Sequence, residues 1–132
     1  MGIEAMNHFT IVTDDLAATE KFYGMFGLKP GPRPPFTFPG AWLYVRGEGH
    51  PILHVIVKGE LPEPPDGLLD HMAFTATDLP KVCATLKGEG YEYDLRRIAG
   101  GGIWQLFVRD PTGVKVEFDF AKDEPAPAGY HA

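Results

Sequence analysis

The chain has 132 residues, 44% hydrophobic and 23% charged, the proportions of a folded domain rather than a disordered chain. With 12 Lys+Arg against 18 Asp+Glu the net charge is −6, which excludes a nonspecific grip on nucleic acid and disfavours docking on an anionic membrane. No apolar run approaches the roughly 20 residues that span a bilayer. The opening MGIEAMNHFT shows neither the basic nor the apolar region of a secretory leader, so none is expected. A single cysteine, Cys83, allows no internal disulfide and fits a cytoplasmic address. The 16 Gly and 13 Pro predict many short elements joined by tight turns.

Residues 7–13 (NHFTIVT) are β-branched and aromatic enough for a strand. Asp14-Asp15 then offers an N-cap for a helix over about 16–27, with Leu16, Phe22, Tyr23 and Phe26 on one face and Gly27 at its left-handed end. Three strand-like runs follow, 41–46 and 52–57 being clear. Residues 58–69 (KGELPEPPDGLL) are Pro-rich and acidic and read as a linker. The order then recurs: a strand at 70–77 (DHMAFTAT), Thr77-Asp78 as cap, and a helix over about 79–89 with Leu79, Val82, Cys83 and Leu86 on one face. Gly90 ends that helix, and three strand-like runs follow again, including 104–109 and 114–120. Asp110-Pro111-Thr112-Gly113 is a turn joining the last two. Residues 121–132, with a lone Tyr130, read as a loose tail rather than a flap.

Sliding the sequence by 63 positions places His8 on His71, Asp15 on Asp78, Leu16 on Leu79 and Gly27 on Gly90, and Leu43-Tyr44-Val45-Arg46 on Leu106-Phe107-Val108-Arg109. Residues 7–57 then show eight identities, where composition alone gives roughly three. The chain therefore reads as a duplicated βαβββ unit. The duplication carries polar residues to equivalent places: His8 and His71 on the first strand of each half, His54 and Glu117 on the last, 46 residues apart in both halves. Glu117 falls on the polar side of VKVEFDF, whereas His54 in PILHVIV is an imidazole in an apolar strand and needs a partner. If the halves pack about a pseudo-two-fold axis, the four side chains meet. Three imidazoles and a carboxylate suit a borderline divalent ion such as Zn, Fe, Ni or Mn, and two His plus a carboxylate with open positions is a non-haem Fe(II) arrangement. His50 and His131 fall outside this pattern and read as surface residues.

These stretches (NHFTIVTDDLAATEKFYGMFGL, GAWLYVRGEGHPILHVIV, LDHMAFTATDLPKVCATLKGEG and QLFVRDPTGVKVEF) resemble the vicinal oxygen chelate superfamily over roughly residues 5–120. That superfamily includes glyoxalase I, extradiol dioxygenases, fosfomycin-resistance transferases and bleomycin-resistance proteins. The resemblance implies an α+β fold in which two βαβββ modules (about 5–57 and 70–120) form a cup-shaped mixed sheet in one domain spanning 1–132. It implies metal ligands His8, His71 and Glu117, with His54 as a fourth ligand or as an acid/base beside the metal. It also implies a homodimer that completes the site. The shared family step is bidentate binding of two adjacent substrate oxygens by the metal.

Three chemistries compete within the resemblance. Glyoxalase I offers a carboxylate where this chain has His54, and an Arg where it has Val12; Glu117 remains available as a metal-bound base. Extradiol dioxygenases match His54 as a non-ligand acid/base, but carry a Tyr where this chain has Phe107, and a His in the loop that here reads Gly100-Gly101-Gly102-Ile103-Trp104. Fosfomycin-resistance transferases share His8-Phe9-Thr10 but add a Lys near Arg97, a Tyr at Phe107 and a later Arg, of which only the charge at Arg97 is present.

Gly100-Gly101-Gly102 lacks the strand–helix setting of a phosphate loop and reads as a flexible loop. Trp42, Tyr44 and Trp104 could stack on a flat ligand or serve as core, and Arg96 and Arg97 could hold a substrate anion or remain solvated. Cys83 reads as inert packing. The expectation is a metal-dependent enzyme of glyoxalase or dioxygenase type, with His54 and Glu117 catalytic and Thr10, Trp42, Arg97, Trp104 and Phe107 against a small-molecule substrate. The competing class is a metal-free sequestering protein of the bleomycin-resistance type. The intact ligand set favours the enzyme.

Overall fold

The structure is a computed structural model that describes residues 1–65 and 67–131. Position 66, in the expected linker, and position 132, at the end of the expected tail, lie outside the described residues. The chain divides into two compact units, Met1–Pro65 and Asp66–Ala132. Each contains one helix and one four-stranded mixed sheet, in the order strand, helix, three strands. The fold is therefore α+β, built from two βαβββ modules. Among the described residues no helix is long and apolar enough to cross a membrane.

In the first unit, β1 (Phe9–Thr13) is followed by α1 (Leu16–Gly24), β2 (Leu28–Pro30), β3 (Gly40–Val45) and β4 (Pro51–Val57). The strand order is β1-β4-β3-β2, with β1 parallel to β4 and the other pairs antiparallel. Asp15 caps α1 as its sequence predicts, its carboxylate accepting from the Ala18 amide at 3.0 Å. Thr19 ties the helix to β1 through a buried 2.8 Å hydrogen bond to the Thr13 hydroxyl. Side-chain alternation sends Ile11, Leu28, Ala41, Leu43, Leu53 and Val55 to the buried face with Phe22 and Tyr23 of α1. The opposite face carries Thr10, Trp42 and His54 abreast, because Thr10 and Trp42 are the register partners of His54 on either side.

The second unit repeats the plan: β5 (Met72–Thr75), α2 (Leu79–Gly88), β6 (Tyr93–Arg97), β7 (Trp104–Arg109) and β8 (Lys115–Phe120), in the order β5-β8-β7-β6. Its core face is Met72, Trp104, Leu106, Val108, Val116, Phe118 and Phe120, with Leu79, Cys83 and Leu86 from α2. The predicted turn at 110–113 is present: the Asp110 carboxylate accepts from the Thr112 and Val114 amides. The glycine run 100–102 closes the β6–β7 hairpin, with the Ile98 amide donating to Ile103 O at 3.0 Å.

Four expectations need correction. His8 and His71 each stand one residue before their strand, since the parallel ladders begin at Phe9 and Met72. Asp78 does not cap α2 with its side chain: its backbone is left-handed (φ 68°), which turns the carboxylate away from the helix amides. Glu124 caps instead, accepting from the Asp78 and Leu79 amides at 2.8 and 3.0 Å. The tail is consequently not loose up to Tyr130. Trp104 Nε1 donates to Glu124 O at 3.1 Å, Arg97 donates to Lys122 O at 2.6 Å, and the Tyr130 ring meets Trp104 edge-on at 5.1 Å.

The fourth correction concerns the repeat itself. Trp42 faces His54, whereas in the second unit Phe107 faces Glu117. Pro30 faces Leu43, whereas Tyr93 faces Val108. The offset between units is thus 63 residues for β1/β5, β2/β6 and β4/β8 (72 − 9, 93 − 30 and 117 − 54), but 65 for β3/β7 (107 − 42). The matching of Leu43-Tyr44-Val45-Arg46 with Leu106-Phe107-Val108-Arg109 is two residues out of structural register. Side chains alternate with period 2, so offsets of 63 and 65 both keep apolar residues on the core face.

Candidate metal and substrate site

Each unit gathers one pair of the predicted ligands. In the first, the His8 and His54 rings stack with centroids 3.7 Å apart and planes at 16°. Trp42 continues the stack on the other side of His54, at 4.2 Å and 13°. Phe36 stands 6.2 Å from Trp42. Burial first, then nearby His8, His50 and Arg33, lower the His54 pKa, so its ring is neutral at neutral pH. Its Nε2 is buried with no hydrogen-bond partner among the described residues. That is the partner-seeking imidazole its apolar strand implied. His50 is tied in as well: Asn7 Oδ1 lies 2.7 Å from His8 Nδ1 and 3.0 Å from His50 Nε2.

In the second unit, His71 Nε2 lies 2.9 Å from Glu117 Oε1, and His71 Nδ1 lies 2.7 Å from Asp70 Oδ2. Glu117 is 5% exposed, so it is buried although it sits on the polar side of the alternation. Gln105 Nε2 donates to Glu117 Oε2 at 3.2 Å. Asp119, two residues along the same side of β8, is pushed up to about 6 by burial first and then by its hydrogen bond to, and charge repulsion from, Glu117. Asp119 therefore keeps its carboxyl proton to higher pH than an ordinary aspartate does. Hydrogen bonds from His71 first, then Lys115, hold Asp70 below the ordinary carboxylate range.

The predicted substrate residues separate by face. Thr10 is exposed beside His54, and Trp42 is half-buried on it. Phe107 faces Glu117 across the β7–β8 ladder and meets His71 edge-on at 5.7 Å, with Arg96 and Lys115 over its ring at 5.0 and 5.3 Å. Arg97 and Trp104 do not join them. Trp104 alternates to the core face and is 2% exposed, and Arg97, its register partner, lies over the indole at 4.7 Å and holds the tail. Tyr44 is core too, its hydroxyl donating to Pro32 O. Sequence reasoning passed over Asn7, Asp70, Gln105 and Asp119. The signal for the first two was present, since positions 7 and 70 obey the same offset of 63 residues (70 − 7) as the histidines beside them.

Among the described residues no group of three or more His, Cys, Asp or Glu side chains is arranged to hold a metal ion; the candidates come as two pairs. The donor chemistry of the His71–Glu117 pair fits a divalent ion. Asp70 occupies Nδ1 of His71 while Nε2 faces a carboxylate oxygen at 2.9 Å, so a positive centre, proton or metal, belongs between them. The stacked pair fits differently. Imidazole lone pairs lie in the ring plane, so an ion about 2 Å from one nitrogen lies a full stacking distance off the plane of the other. One ring of that pair can ligate, not both.

The family profile described as the Glyoxalase/Bleomycin resistance protein/Dioxygenase superfamily matches residues 5–118. The chain belongs to that superfamily. Its fold is that of solved members. A glyoxalase family protein from Enterococcus faecalis is similar at 25% identity and a TM-score of 0.64, covering 90% of this chain and 99% of that one. The genomically encoded fosfomycin resistance protein FosX from Listeria monocytogenes superposes with a TM-score of 0.69 at 16% identity, over 91% of this chain and 95% of that one. A glyoxalase/bleomycin resistance protein/dioxygenase from Alicyclobacillus acidocaldarius gives 0.60 at 21% identity, over 88% and 90%. No curated protein matches the chain. The superfamily commonly uses divalent metals, binds small molecules and often forms dimers.

Proposed function

We propose that this member of the superfamily is a metal-dependent enzyme of glyoxalase or dioxygenase type, acting as a homodimer on a small substrate with two adjacent oxygens. The observation that carries the reading is the 2.9 Å approach of His71 Nε2 to Glu117 Oε1, two donors of the kind that hold Zn, Fe, Ni or Mn. His71 and Glu117 would hold the ion, and the resemblance implies a further imidazole ligand. We assign that place to His8 and keep His54 as acid/base. Bound there, a divalent ion supplies Lewis-acid polarisation of the substrate oxygens.

The remaining groups serve the substrate. Neutral His54, its Nε2 unpartnered, is in the form that takes a proton. Trp42, stacked on it, offers a face for a flat or apolar part. Phe107, flanked by Arg96 and Lys115, lines the Glu117 side.

Elemental analysis of the purified protein beside His71→Ala tests the metal. The wild type retains a divalent ion and the variant loses it; equal content in both would overturn the reading. Oxygen uptake with catechols on iron-loaded protein, beside methylglyoxal–glutathione turnover with Ni or Zn, then separates the two chemistries.

A second reading, metal-free sequestration of a ligand, draws on the His8–His54–Trp42 stack, which is a ready platform for a flat molecule. Quenching of Trp42 fluorescence by bleomycin, unchanged after chelation and in His71→Ala, would favour it.

A further inference from the structure

We propose that Asn7 and Asp70 are a matched pair of positioning residues that fix which ring nitrogen of His8 and of His71 is left to act as a ligand. The proposal rests on the metal reading above for its purpose, though not for its geometry. Each residue immediately precedes a predicted ligand, and each is related to the other by the same 63-residue offset (70 − 7). His8 Nδ1 lies 2.7 Å from Asn7 Oδ1, and His71 Nδ1 lies 2.7 Å from Asp70 Oδ2.

Neighbouring side chains in a strand point to opposite faces and cannot meet in this way. They meet here because His8 and His71 stand one residue before their ladders. The correction to the strand boundaries is thus also the reason for the contact.

Carboxylates lie at both ring nitrogens of His71, Asp70 at 2.7 Å and Glu117 at 2.9 Å; an ionised carboxylate only accepts, so an Nδ1–H directed at Asp70 leaves Nε2 for the ion that Glu117 also faces. Asn7 Oδ1 is approached by two ring nitrogens, at 2.7 and 3.0 Å, as befits an amide oxygen accepting from both. With Nδ1 committed in each ring, Nε2 is the nitrogen available to the site, and in His71 it is the one facing Glu117. The two positions differ in strength. Asp70 forms a charge-assisted bond and is itself steadied by Lys115 at 3.2 Å, whereas Asn7 is neutral.

The test is heteronuclear imidazole NMR on the full chain in mildly alkaline buffer, where free histidines are neutral, with zinc affinity measured alongside. In the wild type both His8 and His71 show a protonated Nδ1. Asn7→Ala abolishes that signature for His8 alone, and Asp70→Ala abolishes it for His71 alone. Asp70→Asn retains it, since an amide oxygen still accepts. Zinc affinity falls about 10–100-fold in Asp70→Ala and is largely restored in Asp70→Asn. Nδ1 signatures that survive both alanine substitutions would overturn the proposal, as would Asp70→Asn behaving like Asp70→Ala. Absence of zinc uptake by the wild type, with the NMR signatures still obeying the substitutions, would sink the metal reading and leave the positioning intact.

Discussion

Trp104 and Glu124 are joined by a 3.1 Å hydrogen bond from the indole Nε1 to the Glu124 carbonyl, while the carboxylate of the same Glu124 takes the amides of Asp78 and Leu79 at the start of α2. One residue of the C-terminal segment thus satisfies a core tryptophan and a helix terminus together. Glu124→Ala is expected to cost about 1 kcal/mol, in line with the loss of a helix cap. Chemical denaturation measures it, and Trp104 emission should hold, because the Glu124 carbonyl that accepts from the indole belongs to the backbone and remains in the variant. An unchanged unfolding midpoint would mean the cap is not needed.

Asp119 holds its proton up to about 6 against an ordinary 3.8. As pH rises through this window the unfolded chain releases that proton first, so the folded state binds more protons and stability falls with rising pH. The contribution is fully present below 3.8 and lost as pH passes about 6. In Glu117→Gln the neighbouring negative charge is gone, and the carboxyl of Asp119 should titrate lower. The measurement is a series of unfolding midpoints of metal-free wild type and variant across acid pH; parallel curves would contradict the influence of Glu117 on Asp119.

Gly40 is required by contact rather than by backbone angle. A Cβ there would lie 2.2 Å from the Val55 carbonyl oxygen and 3.0 Å from an Arg33 guanidinium nitrogen. Neither strand can yield without opening the β3–β4 ladder, so Gly40→Ala should destabilise by about 1–3 kcal/mol or more. Gly24→Ala, whose Cβ meets nothing within 4 Å, is the control and should be neutral or stabilising by about 0.4–1 kcal/mol. Thermal unfolding of the two variants compares them directly.

Burial first, then its hydrogen bond to Cys83, pushes the Tyr93 hydroxyl up to about 12 from an ordinary 10. Above 10 the unfolded chain ionises first while the folded chain keeps the proton, so stability falls as alkalinity increases between 10 and 12. Tyr93→Phe should flatten that limb, followed by denaturation in alkaline buffers beside tyrosinate absorbance. The Cys83 thiol, raised by burial, should react with thiol reagents only on unfolding.

The architecture was readable in the sequence because it is written in local patterns. The period-2 runs gave β4, β7 and β8, the apolar stripes with Asp15 and the glycines gave both helices, and the 63-residue offset gave the duplication. Identity could not fix the β3/β7 register, since sliding by two residues leaves the inside–outside pattern unchanged. Nor could the sequence assign the cap of α2, because Glu124 comes from 46 residues beyond Asp78 and carries no local mark. The shared 46-residue spacing marked His8, His54, His71 and Glu117 as equivalent positions, but the expectation from it was that all four meet, and the stacking of His8 on His54 and the approach of His71 to Glu117 carry no mark in the sequence. Trp104 and Arg97 do not stand beside the ligands either, because they belong to the opposite side of the sheet. The orienting contacts of Asn7 and Asp70 depend on where each ladder starts, a boundary that strand propensity does not resolve.

The two-residue slip between β3 and β7 has an evolutionary reading. After an internal duplication, the twin halves start with identical neighbours around each ligand. Sliding a single strand by one pleat exchanges those neighbours wholesale, bringing an indole beside one ligand position and a phenyl beside the other, while Ala41 and Leu43 of one strand and Leu106 and Val108 of the other stay in the interior. Such a slip lets one copy be retuned for a new molecule with no loss of foldability, by a route that substitution of individual side chains does not offer.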